Sequence, residues 1–224
     1  MAESGIGKLP KREAGDVLQT LAKAGIAALP LGGSATELLS LVLAPSLEKR
    51  RDKWLEDMAE AFRALEAKLE DFKVENLTGN EAFVSVVMHS SQIALRNHQK
   101  EKLEALRNAV LNAALPNSPE QDLQHMFLNI VDSFTPWHIR LLKRLDELEA
   151  IQDLVVPKSF FFDLRDQEDF SHQIIRDLHS HGLTPLMSPW EGYASRSQRG
   201  RGQNVTGLGK KFLNFITSPF EDEK

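Results

Sequence analysis

Seven histidines are spread through the 224 residues, and imidazole is the side chain best suited to trade a proton or ligate a metal near neutral pH. His172 and His179 stand seven apart on what would be one helical face, with His181 just beyond. No His-Glu-x-x-His or comparable carboxylate-rich spacing accompanies them, so no metal is expected. His89, His98, His125 and His138 occur singly and read as partly buried or surface helix residues. Neither a phosphate-cradling Gly-x-x-x-x-Gly-Lys-Ser/Thr nor a Gly-x-Ser-x-Gly elbow occurs. Gly200-Arg201-Gly202 and Gly207-Leu208-Gly209 do not follow a strand into a dinucleotide-binding turn. With no cysteine, disulfides, thiolate zinc sites and cysteine nucleophiles are excluded, and the reducing cytosol is the expected compartment. The expectation is a non-enzymatic protein without a cofactor, although an enzyme built from dispersed residues would leave no local trace.

Two stretches carry interaction chemistry instead. Between Gly192 and Asp222 the chain holds Arg196, Arg199, Arg201, Lys210 and Lys211 and no acid before Glu221. Arginines between glycines can approach a phosphate backbone closely, so this loop is a candidate nucleic-acid contact; an ordinary solvated loop is the plainer reading. The neighbouring helix Asp169 to His181 offers Arg176 as its only permanent cation against Asp169 and Asp177, which is poor equipment for reading a groove. The second stretch is a heptad-like seam of Met58, Phe62, Leu65, Leu69 and Phe72, with Trp54 just before it. Packing within the chain is the simpler account of the seam, and a partner helix, homodimeric or heteromeric, is the alternative.

Residues 24–44 have about the length needed to cross a hydrocarbon core. However, Pro30, Gly32, Gly33 and Glu37 lie at their centre, where charge and broken backbone are expensive. A buried helical hairpin accounts for them, with a membrane-perturbing segment as the alternative. The net charge of -5 attracts neither nucleic acid nor anionic lipid as a whole, and the N-terminus shows no apolar run followed by a cleavage site.

The elements that position these groups follow from breakers and caps. Asp16 to Ala28 reads as a first helix, ended by Pro30 and Gly32-Gly33. Ser34, with Glu37 three residues on, caps a second helix that Pro45 is expected to interrupt. Ser46 then starts a third, running to about Phe72. Residues 80–114 form one long helix or two, stopped by Pro116 and Pro119. Glu120 to Phe134 follows, and Thr135-Pro136 starts a helix through about Ile151. Val155-Val156-Pro157, Phe160 to Phe162 and Leu183 to Leu186 lean towards strand, Gly182 should end the helix before it, and VTGLGKKFLNFI closes the order at Val205 to Ile216. The expected fold is mainly α: a lead at 1–15, a helical bundle at 16–134, a winged-helix-like α+β module at 135–218 and an acidic tail at 219–224.

LRNAVLNAAL, HMFLNIVDSFTPWHIRLLKRL and the terminal VTGLGKKFLNFI resemble the abortive-infection alpha family, whose members similarly end in a Thr-x-Leu-Gly-x-x-Phe-Leu stretch. The likeness spans about residues 100 to 216 and rests on packing residues, so no functional residue is carried over. It implies a bacterial cytosolic protein with an interaction or toxicity role in limiting phage infection. Protein contacts are the leading expectation, with a nucleic-acid-binding regulator and a membrane effector as alternatives.

Overall fold

Local caps and breakers set several of the element ends. The computed structural model describes residues 35–70, 72–150, 168–186 and 204–220. Among these it contains seven α-helices, α1 (Ala35–Lys68), α2 (Glu81–Arg96), α3 (Lys100–Ala113), α4 (Gln121–Ser133), α5 (Pro136–Ala150), α6 (Glu168–Ser180) and α7 (Gly207–Ile216), and a 3-10 turn at Val74–Leu77. The Asn80 side chain accepts from the Phe83 amide at 3.2 Å and starts α2. Asn97 is extended and its side chain donates to the Ile93 carbonyl at 2.8 Å, so residues 80–114 form two helices. Gly182, at φ 70°, ends α6. Its amide donates to His179 and that of Leu183 to Leu178, a Schellman turn whose flanking leucines are both buried.

Two expectations fail. Pro45 does not interrupt a helix, because α1 runs through it. The ring removes one backbone bond to the preceding turn, and the turns on either side keep the helix going. The winged-helix-like α+β module is also not found: no strand occurs among the described residues. Leu183 to Leu186, expected as a strand, is joined to the start of α7 by single links. The Thr206 amide donates to the Leu183 carbonyl at 3.0 Å and the Thr184 hydroxyl to the Asn204 carbonyl at 2.7 Å, and Pro185 has no amide to extend a ladder. The hairpin at 24–44 before Ala35, the stretches at 155–162 and the loop carrying Arg196, Arg199 and Arg201 lie outside the described residues.

Contacts divide the chain after Asp52. In the first unit, the described side chains from Ala44 to Asp52 are all exposed, and Arg51 pairs with Asp52. In the second unit, α3 is the central helix, packed against α2, α4 and α7. Leu106, Ala109 and Val110 supply its fully buried face. Phe127 of α4 meets the rings of Phe212 and Phe215 of α7 at 5.4 and 5.7 Å. Burying each such ring contributes about 1.5–3 kcal/mol. One hydrophobic cluster takes residues from both sides of position 135, from Phe83 and Phe127 to Ile175 and Phe215. Gly209 makes the α7 approach possible, since a Cβ there would overlap the Leu183 carbonyl oxygen. No described helix is long and apolar enough to cross a membrane.

Candidate functional site

Trp54, Met58 and Leu65 turn inwards and are buried, and Phe62 is half-buried with its ring edge on Phe83 at 6.0 Å. Trp54 also donates from its indole nitrogen to the Ser91 hydroxyl at 2.9 Å. The heptad seam is therefore used within the second unit, and of the candidate partner residues only Leu69 is exposed. Lys210 and Lys211 are exposed on α7. The arginines with which they were grouped, Arg196, Arg199 and Arg201, lie outside the described residues.

The titratable groups in the interior fasten helices to one another. His138 of α5 is buried. Its Nδ1 accepts from the Thr135 amide at 3.1 Å, which leaves the proton on Nε2, facing Asp177 Oδ2 of α6 at 3.2 Å. Thr135, His138 and Asp177 thus contain the residue types of a hydrolytic triad in a different arrangement. The threonine amide at 3.1 Å and the threonine hydroxyl at 2.9 Å both address His138 Nδ1, the nitrogen turned away from Asp177. A third-position side chain reaching back to the cap amide is one half of a capping box. Phe134 stacks on the imidazole at 4.5 Å. Burial pushes His138 below its ordinary value, while the Asp177 carboxylate pulls it back up. The helix of candidate metal ligands is likewise committed locally: His179 Nδ1 faces the Thr184 carbonyl and His181 Nδ1 the Asp177 carbonyl.

A second cluster lies where α2 meets α4. His89 Nδ1 and His125 Nδ1 are 3.4 Å apart. Seven residues further along both helices, Arg96 donates to the Asp132 carboxylate at 2.9 Å. Contacts that advance together on both helices mean that α2 and α4 run parallel. Lys102, buried at the start of α3, donates to the Asp132 carbonyl at 2.8 Å. Its charge closes the negative end of α4, while burial holds the ammonium below its usual value. Burial and the neighbouring His125 both lower His89, against the pull of Asp132. Sequence reasoning left these histidines as single residues. The one trace available was a shared separation of 36 positions between His89 and His125 and between Arg96 and Asp132.

Among the described residues, no group of three or more His, Asp or Glu is placed to hold a metal ion. Comparisons with protein-family models, with curated proteins and with solved structures find no match to this chain.

Proposed function

We propose that the chain is a non-enzymatic interaction protein of the bacterial cytosol, acting through protein contacts in antiphage defence. The observation that supports this reading is the stretch of α1 from Ala44 to Asp52, which is helical and exposed at every position, Leu47 included. Helices in proteins draw most of their stability from packing one face, and Pro45 has removed a backbone bond here as well. A partner laid along this stretch would supply the burial, with Glu48, Lys49, Arg50, Arg51 and Asp52 forming a charged rim around Leu47. The test is the sedimentation of tagged full-length chain in extract of its host. Wild type should migrate as a stoichiometric complex, and Leu47→Glu should migrate alone with its helix content unchanged. Wild type migrating as a free monomer would refute the reading.

The exposure of Lys210 and Lys211 favours a second reading, nucleic-acid binding through these lysines and the loop of Arg196, Arg199 and Arg201. It predicts a shift of duplex DNA that weakens steeply with salt. Replacing the three arginines with alanine should abolish it; a shift that survives the replacement rules out the loop.

A further inference from the structure

We propose that His89 and His125, flanked by Met88 and Met126, form a binding site for a soft monovalent cation of the Cu⁺ type on the outer side of the α2–α4 pair. The ring centroids are 5.6 Å apart and the planes lie within 24° of each other, while the two Nδ1 atoms are only 3.4 Å apart. Almost all of the extra centroid distance is ring radius, so the nitrogens face each other nearly head-on across the helix interface. Two imidazole nitrogens facing each other in this way bracket a position that a cation of low coordination number can occupy after a small opening of the pair.

The neighbours identify the kind of cation. On α2, Met88 is 59% exposed and Ser90 is buried; on α4 the order reverses, with Gln124 buried and Met126 36% exposed. Parallel helices facing each other through His89 and His125 produce this mirrored order. It places Met88 and Met126 together on the outer side, while Ser90 and Gln124 lie on the opposite, buried side. The site therefore offers two imidazoles and two flexible thioethers, and thioethers select Cu⁺ over harder divalent ions. A sequence search for ligand spacing on a single helix cannot find it, because each helix contributes one histidine and one methionine.

The experiment is anaerobic competition of the full-length chain against the Cu⁺–bicinchoninate complex, with Zn²⁺ titrated in parallel. Wild type should remove one Cu⁺ per chain from the chelator. His89→Gln and His125→Gln should each weaken uptake by about tenfold or more, and the Met88→Leu/Met126→Leu pair by about tenfold, with His98→Gln unchanged. A measurement on wild type guards against variants that misfold: Ag⁺, a redox-inert stand-in, should shift the ring ¹⁵N signals of two histidines and no others. The proposal is overturned by failure to compete, by uptake indifferent to the histidine variants, by full affinity in the double leucine variant, or by tighter binding of Zn²⁺ than of Cu⁺.

Discussion

Asn112 closes the C-terminal end of α7. Its Nδ2 lies 3.1, 2.9 and 2.8 Å from the carbonyl oxygens of Asn214, Phe215 and Thr217. These belong to the last turn of the helix and the residue just past it, where carbonyls lack partners within the helix. An amide nitrogen carries two hydrogens, so at most two of the three are held at once. At about 1 kcal/mol net for each hydrogen bond, Asn112→Ala should cost about 2 kcal/mol. With a urea slope of about 2 kcal/mol/M, the midpoint should fall by about 1 M with the slope unchanged. Asn112→Asp separates bonding from packing, because it keeps the shape but presents an acceptor, and a negative charge, to the negative end of the helix. It should be less stable than the alanine variant. Exposed Asn129 serves as the control, with Asn129→Ala within about 0.5 kcal/mol of wild type. A midpoint for Asn112→Ala that matches this control, or an aspartate variant more stable than the alanine one, would refute the clamp.

The two glycines with defined tasks should respond differently. Gly209→Ala forces a methyl into the Leu183 backbone and should cost about 2–3 kcal/mol by thermal or urea unfolding. Gly182→Ala meets only Leu208 at 3.7 Å, so its penalty is the positive φ alone, about 1 kcal/mol; equal losses at the two sites would contradict the assignment. His138 adds a pH dependence. Its folded value lies below the ordinary 6.5, so the unfolded chain takes up the proton first as pH falls. The contribution is present above 6.5 and is lost as pH drops from there towards the folded value. His138→Phe removes that titration together with the bonds to Thr135 and Asp177. It should therefore be less stable at pH 7.5, with the gap to wild type narrowing towards pH 5; a gap that stays constant or widens would show that the imidazolium is not disfavoured in the fold.

Signals confined to a few residues were legible in the sequence. Gly182 ends α6, Pro136 opens α5, and the apolar spacing of Trp54, Met58 and Leu65 marks a face that is indeed buried. Errors arose where one local preference was given too much weight. Pro45 weakens a turn without ending α1, since the loss of a single backbone bond does not outweigh the turns on either side. Leu183 to Leu186 has a strand-like composition, yet Thr184 and Leu183 hold the start of α7 by two separate bonds where a ladder was expected. The His89–His125 pair was hidden for a different reason. It depends on α2 and α4 running parallel with α3 between them in sequence, a tertiary fact that periodicity within one helix does not encode.

Three of the apolar stretches of the sequence meet at one junction. LRNAVLNAAL contributes Asn108 and Asn112, whose side chains bind the carbonyls of Ile216 and of the adjacent residues at the end of α7. HMFLNIVDSF contributes Phe127, in ring contact with Phe212 and Phe215 from VTGLGKKFLNFI. Thr206 caps that last helix by accepting from the Gly209 amide at 2.9 Å, and Gly209 is the residue whose missing side chain lets the helix settle against Leu183. Such residues are tied to docking α7 on α3 and α4, and a chain keeping that junction would keep them whatever its surface does. Activity is therefore better sought outside the junction: on the exposed stretch of α1 at Leu47, at Lys210 and Lys211, and along the outer side of α2 and α4, where substitutions leave the packed core intact.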